Sequence, residues 1–207
     1  MIVTSTEQRT LTRGDTAALV AFCIAGLAIA ANFVVYSIFR IVELARGTDV
    51  PVIVEFVGQP VQAPLGDGTD TITLGLDEAT ITAAQLPPIA AVPGIIGQVS
   101  QMITIIVVIG CLILLARSTL SGRVFSRRNT ALVMTAGITG LVGFAAVRFF
   151  ENMLANATVS VITDNAIENS IITVEPVAFI LAAFIIAVIG TAFVIGDKLQ
   201  RETEGLV

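Results

Sequence analysis

Four long apolar runs separate the polar parts of this sequence. They cover residues 17–39, 95–116, 130–147 and 177–195. A helix needs about 20 mostly apolar residues to cross the hydrocarbon layer of a bilayer, where backbone amides must bond within their own segment. The pattern therefore predicts a membrane α-helical protein, with four transmembrane helices bundled in a single domain over residues 1–207.

The connection between the first two runs predicts strands. Val50–Val57 is rich in β-branched residues, and Thr71–Leu74 and Thr80–Thr82 alternate polar with apolar residues. A turn is expected around Gly66–Gly68, and Pro93-Gly94, after Pro87-Pro88, is expected to close the loop. A β-rich outer loop is thus predicted at about residues 48–93.

The second outer loop, at about residues 156–175, shows a similar composition. Thr158–Thr163 and Ser170–Val174 each favour a strand, and Asp164-Asn165 suits the turn between them. Because isolated two-stranded hairpins are only marginally stable, we expect the two outer loops to pair in one small extracellular β-sheet.

Composition supports a membrane protein and argues against most catalytic sites. The 207 residues are 55% hydrophobic and 13% charged, whereas soluble domains average about 25% charged residues. The sequence has no histidine, and Cys23 and Cys111 both lie in apolar runs. With neither the commonest general base nor a Cys/His ligand set, we expect no enzyme, no metal and no cofactor.

The distribution of basic residues predicts the orientation in the membrane. Gly47–Ala116 and Phe149–Asp197 contain neither Lys nor Arg. Eight of the eleven basic residues lie in the two tails and in the connection after the second run. We therefore expect a multi-pass protein of the cell membrane with both termini cytoplasmic. The first run extends well past Ala28-Ile-Ala30, which favours a retained span over a cleaved signal peptide.

Two Arg-x-x-Glu pairs are the main candidate site residues. Arg40 with Glu43 ends the first run, and Arg148 with Glu151 ends the third. Residues three apart share one helix face, and such charges are either interfacial ion pairs that anchor the helix end or part of a functional site. A predicted strand follows each pair, so the order of helix, Arg-x-x-Glu and strand occurs twice and forms a faint internal repeat.

Other polar groups suit surface roles. The acidic residues of the first outer loop favour a solvated surface over a calcium loop; they are Glu55, Asp67, Asp70, Asp77 and Glu78. Ser126 is placed to cap the third helix. Five basic residues are candidate contacts for lipid or a cytoplasmic partner: Arg123, Arg127, Arg128, Lys198 and Arg201.

The segments Gly122–Asn129 and Gly196–Val207 give the chain a resemblance to a known family. They resemble an uncharacterised family of bacterial four-helix membrane proteins, number 2975 among the domains of unknown function. The resemblance implies a long outer loop after the first span and assigns no catalytic residue. Its members are often encoded beside small helix-turn-helix regulators, which implies a cytoplasmic regulatory partner. No face of the chain has the density of Lys and Arg that direct contact with nucleic acid needs.

These observations favour a non-enzymatic membrane protein that senses, regulates or scaffolds. The outer sheet would contact a ligand, the envelope or a partner, and the basic cytoplasmic face would contact a second protein. The alternative is a small transporter or channel subunit. It predicts that Arg40 and Arg148 face a wet cavity, whereas a sensor or scaffold does not require this.

Overall fold

A computed structural model describes residues 13–64, 71–120, 124–164 and 176–204. These ranges contain four helices and two strands in the order α1, β1, β2, α2, α3, α4. Their bounds are α1 Arg13–Arg46, β1 Thr48–Pro64, β2 Thr71–Gln85, α2 Pro88–Leu120, α3 Arg127–Ile162 and α4 Pro176–Glu204. All four helices are long and apolar enough to cross a membrane, and they fit a multi-pass membrane protein.

The ends of the helices follow local sequence signals. Proline begins α2 at Pro88 and α4 at Pro176, a position where its missing N–H costs no hydrogen bond. The Ser126 hydroxyl accepts a hydrogen bond from the Asn129 N–H at 3.2 Å, which confirms Ser126 as the cap of α3. Pro93-Gly94 was expected to close a loop, but Pro93 lies inside α2, so that expectation is wrong.

The predicted hairpin of the first outer loop is confirmed. Strands β1 and β2 pair antiparallel from Thr48 opposite Gln85 to Pro64 opposite Thr71, with a register shift after Glu55. β1 contains the predicted strand at residues 50–57, and β2 joins the two short predicted strands into one. The predicted turn at residues 66–68 lies outside the described residues.

The predicted strand at residues 158–163 is wrong, because α3 continues to Ile162. The Thr158 hydroxyl donates to the Leu154 carbonyl at 2.8 Å, and the Thr163 hydroxyl donates to the Val159 carbonyl at 2.8 Å. These bonds satisfy the hydroxyls within the helix, so β-branched residues here do not make a strand. The sheet of the described residues therefore comes from the first outer loop alone, and the predicted strand at 170–174 lies outside them.

The described residues divide into two compact units. One unit comprises residues 34–103 and 142–176, and we name it the hairpin unit; the other comprises residues 1–33, 104–141 and 177–207, and we name it the helical unit. Residues of α1, α2 and α3 belong to both units, whereas the hairpin belongs to the first alone.

A buried apolar core holds the hairpin unit together. Val50, Val52 and Val54 alternate along β1 and are at most 2% exposed, as expected where one face of a strand is covered. They belong to one cluster with residues from the end of α1, the start of α2 and the end of α3: Leu44, Ala90, Ala91, Leu154, Ala155 and Val159. The buried α3 residues recur at helical spacing, so a helix contributes to this core where a strand was expected at residues 158–163.

The helical unit has a mainly apolar surface. Large side chains such as Ile24, Leu27, Ile180 and Phe184 are more than half exposed. Exposing a continuous apolar surface to water is unfavourable, whereas lipid tails accommodate it. Helix contacts use small residues: a Cβ placed on Gly137 of α3 would lie 2.5 Å from Ile186 Cγ2 of α4. Gly137 therefore allows α3 and α4 to pack closely.

Candidate functional site

The hairpin is closed at its base by a backbone hydrogen bond. Gly47 follows α1 with a φ of +65°, and its N–H donates to the Glu43 carbonyl at 3.2 Å. This is the left-handed end that favours glycine after a helix. The Gly47 carbonyl accepts a hydrogen bond from the Leu86 N–H at 2.7 Å. The chain therefore leaves and re-enters the helical scaffold at one point.

Arg40 fastens the end of α1 to β1. Its Nη1 donates to Glu43 Oε2 at 2.5 Å, and its Nη2 donates to the Pro51 carbonyl at 2.5 Å. The Arg40 side chain is 17% exposed. Two charge-assisted hydrogen bonds at a half-buried site fix the guanidinium firmly, so this first predicted ion pair has a structural role at the base of the hairpin.

The second predicted ion pair has a different geometry. Arg148 Nη1 and Glu151 Oε2 are 3.9 Å apart, which is within ion-pair range but longer than a hydrogen bond. The two side chains are 42% and 50% exposed. The two Arg-x-x-Glu sequences therefore do not form equivalent contacts: the first is a short hydrogen-bonded pair, and the second is a looser ion pair.

Arg40 and Arg148 line one cavity of about 290 Å³ in the hairpin unit. Its other charged residues are Glu55 of β1 and Glu151 of α3, and its uncharged polar residues are Tyr36, Gln98 and Asn152. Apolar walls come from the core of the unit, including Leu44, Val52 and Leu154. The structure thus brings the two predicted arginines together, while Glu43 stands outside the cavity lining.

Charged side chains of both signs line this cavity. Arg40 and Arg148 carry two positive charges, and Glu55 and Glu151 carry two negative charges. Glu43, outside the lining, already pairs with Arg40 at 2.5 Å. A volume near 300 Å³ is at the small end of ligand pockets and corresponds to a small molecule rather than a chain segment.

One polar atom in the lining needs a hydrogen-bond donor. Gln98 Oε1 of α2 is buried and has no hydrogen-bond partner within the described ranges. Buried polar atoms are normally paired, and an exception calls for an explanation. An N–H or O–H group on a molecule in the cavity would satisfy this acceptor.

The remaining predicted site residues lie in the helical unit. Phe125 and Phe193 pack with ring centroids 5.5 Å apart, which places the start of α3 beside the end of α4. Arg127, Arg128 and Lys198 are exposed there, and Arg201 pairs with Asp197. These four basic residues share one end of the unit, while Arg123 lies outside the described residues.

The sequence pattern did not indicate that Glu55 and Gln98 belong to this cavity. Glu55 was expected on a solvated acidic surface, but β1 brings its carboxylate to the cavity wall. Gln98 was given no role, because a lone amide near the start of an apolar helix carries little information. One sequence feature could have indicated Gln98: it lies one helical turn after Gly94. At Gly94, α2 comes close to Leu44 and Leu154.

The side chains of the cavity are able to bind a polar ligand. Guanidinium, carboxylate, amide and phenol groups can orient a polar ligand, and the sequence has no histidine to act as a general base. In residues 13–64, 71–120, 124–164 and 176–204, no three carboxylate, thiol or imidazole groups are close enough to hold a metal ion.

The comparisons with known proteins give no relative. No family model, no curated protein and no solved structure matches the chain. The resemblance to the four-helix family of unknown function therefore stays a prediction.

Proposed function

We propose that this protein is a non-enzymatic sensor of the cell membrane, which binds a small polar molecule in the cavity of its hairpin unit. The observation that carries the proposal is the convergence of Arg40, Arg148, Glu55 and Glu151 on one cavity walled by a hairpin and three helices. Charges at this position are costly to maintain. A ligand site accounts for four charged side chains around one cavity, which an anchoring role for each helix end does not require.

In this proposal the hairpin faces outward and both termini are cytoplasmic. Support comes from the basic end of the helical unit, where Arg127, Arg128, Lys198 and Arg201 collect. Positive residues mark the cytoplasmic side of membrane helices. The same end is the proposed contact for anionic lipid and for a cytoplasmic regulatory protein, through which occupancy of the cavity would be reported.

A small transporter or channel subunit is the second candidate, and one observation favours it. This candidate requires Arg40 and Arg148 to face a polar cavity, and both line one. The two functions differ in access: a sensor cavity opens to one side of the membrane, whereas a transport cavity opens to each side in turn.

Cysteine labelling distinguishes these functions. In a Cys23→Ala/Cys111→Ala background, which removes both native thiols, Gln98→Cys is treated with a small charged thiol reagent. The reagent is added to one face of oriented membranes and then to the other. Leu27→Cys, whose parent side chain is 59% exposed on an apolar helix surface, is the matched control and should react from neither face.

A sensor predicts that the thiol at position 98 reacts from the outer face alone. Reaction from both faces would support transport and contradict the sensor. Absence of reaction from either face would contradict both, provided that the same variant reacts fully after denaturation.

A further inference from the structure

Within the first apolar run, α1 presents one side-chain amide on its outer surface. Asn32 is the one Asn or Gln at residues 17–39, and its side chain is exposed. We propose that this surface of α1 binds α1 of a second copy of the chain, and that the two Asn32 side chains hydrogen-bond to each other inside the membrane. The contact is separate from the cavity and does not depend on the proposed function.

The depth of Asn32 in the span makes a protein partner necessary. Asn32 precedes Phe39, the end of the apolar run, by seven residues, which is about 10 Å of helix. The hydrocarbon layer holds no water to bond an exposed polar group, and the short side chain of Asn does not reach the headgroups over that distance. A polar group on another helix is the usual partner of such an amide.

The side of α1 that carries Asn32 is turned away from α2. A Cβ on Gly26 would lie 3.4 Å from Ile109 Cγ2 of α2, so Gly26 marks the packed side of α1. Asn32 is six residues further along, which at about 3.6 residues per turn directs it about 120° away from Gly26. Three small side chains share the side of Asn32 and are exposed as well: Ala21, Ala25 and Ala28.

These small residues allow a second helix to approach closely. The three alanines and Asn32, which together we name the alanine face, follow one another at spacings of four, three and four residues. Small residues four apart are typical of close helix contacts in membranes. The larger side chains of Ile24 and Ile29 flank the row and are exposed. The alanine face is therefore a shallow groove with an amide near one end.

The chemistry of Asn32 selects a second copy of the chain as the partner. An Asn side chain has a donor at Nδ2 and an acceptor at Oδ1, so two of them related by a two-fold axis satisfy each other. Two copies inserted in the same orientation have parallel α1 helices, and residue 32 of each then lies at the same depth. Residues 17–39 contain no charged side chain that would repel the second copy.

Energy transfer between copies tests this contact. The full chain carries Lys198→Cys in the background without native cysteines, and separate batches are labelled with a donor or an acceptor fluorophore. Both batches are reconstituted together in phosphatidylcholine liposomes, and transfer is measured as the ratio of protein to lipid is lowered. We expect saturable association, which Asn32→Leu weakens about tenfold through the loss of interhelical hydrogen bonds. Asn32→Gln keeps the amide and should associate nearly as the parent does.

Disulfide cross-linking locates the contact on α1. In the same cysteine-free background, Ala28→Cys and Leu27→Cys are neighbours in sequence, and both parent side chains are exposed. Leu27 points about 100° away from Ala28 and lies off the alanine face. Oxidation in liposomes should therefore link the Ala28→Cys variant into a dimer and leave Leu27→Cys, the matched control, largely monomeric.

Folding is controlled by thermal unfolding of each variant. Ala25→Ile keeps the amide but adds bulk to the alanine face, so it should also weaken association, and it repeats the test if Asn32→Leu fails to fold. Monomers at every protein-to-lipid ratio, transfer that folded Asn32→Leu leaves unchanged, or equal cross-linking at positions 27 and 28 would overturn the inference. Recovery of a different membrane protein on this face, with no transfer between copies, would overturn it as well.

Discussion

Arg40 donates a hydrogen bond to the carbonyl oxygen of Pro51, eleven residues further along the chain, with Nη2 and the oxygen 2.5 Å apart. The same guanidinium holds Glu43 on its own helix. Because the bond joins the end of α1 to β1, it fixes where the hairpin lies relative to that helix end. The first Arg-x-x-Glu sequence is therefore a structural link as well as part of a cavity wall.

Removing this link should destabilise the protein more than removing the second arginine. We expect Arg40→Gln to lower the free energy of unfolding by about 1–3 kcal/mol, because two charged hydrogen bonds are lost at a half-buried site. Arg148→Gln should cost about 1 kcal/mol or less, as is usual for a half-exposed ion pair. Thermal unfolding of both variants in one detergent measures the difference.

Arg40→Lys is the informative control for that comparison. It keeps the charge but has a single ammonium in place of the planar fork that reaches two acceptors. We expect its stability to fall between those of the parent and Arg40→Gln. Full stability of Arg40→Gln would contradict the structural role.

Gly47 should tolerate no side chain. Its φ is +65°, and a Cβ there would lie 2.6 Å from the Leu86 carbonyl oxygen. We expect Gly47→Ala to lower the free energy of unfolding by about 1–3 kcal/mol, through backbone strain and loss of the closed hairpin base. Gly110→Ala is the matched control, since nothing lies within 4 Å of a Cβ there. If Gly47→Ala lowered the free energy of unfolding no more than Gly110→Ala does, the result would contradict this geometry.

The contact between α3 and α4 should depend on the absence of a side chain at Gly137. We expect Gly137→Ala to weaken the packing of these helices, because the added Cβ meets Ile186 at 2.5 Å. Adding Ile186→Ala should restore part of the stability, which a double-mutant cycle of thermal unfolding measures. Gly140→Ala, with Val108 at an ordinary 3.8 Å, should be nearly neutral. Strictly additive effects of the first two changes would exclude the proposed clash.

The proposed orientation has a direct test. In the background without native cysteines, we expect Ile53→Cys in β1 to react with a membrane-impermeant maleimide in intact cells. The parent Ile53 side chain is 61% exposed. Lys198→Cys in α4 should react after the membrane is permeabilised and not before, because basic residues mark the cytoplasmic side. The opposite labelling pattern would reverse the orientation.

The basic end of the helical unit should be needed for a cytoplasmic partner. We expect removal of residues 197–207 to abolish recovery of that partner from native membranes, while the Arg40→Gln variant still recovers it. Quantitative mass spectrometry of cross-linked, purified complexes measures the loss. A partner recovered equally with and without the tail would contradict the proposed contact.

The four helices and the first hairpin were predictable, because hydrophobic length and β-branched alternation are local signals. The end of α3 was not predictable, because Thr158 and Val159 are β-branched and favour a strand. They lie in a helix because Val159 is buried in the core and the Thr158 hydroxyl donates to the Leu154 carbonyl. Part of the cavity was predictable, because charged residues at the ends of apolar helices indicated Arg40 and Arg148 as site residues. Glu55 and Gln98 join them through tertiary packing, which no local pattern reports.

The hydrogen bond between Gly47 and Leu86 makes the hairpin a modular insertion. Its buried residues, Val50, Val52, Val54 and Ala83, all lie near that base. The two strands remain paired beyond Glu55, after a register shift. The distal part can therefore be shortened or can carry an inserted reporter domain, because the ends of α1 and α2 stay joined whatever its length.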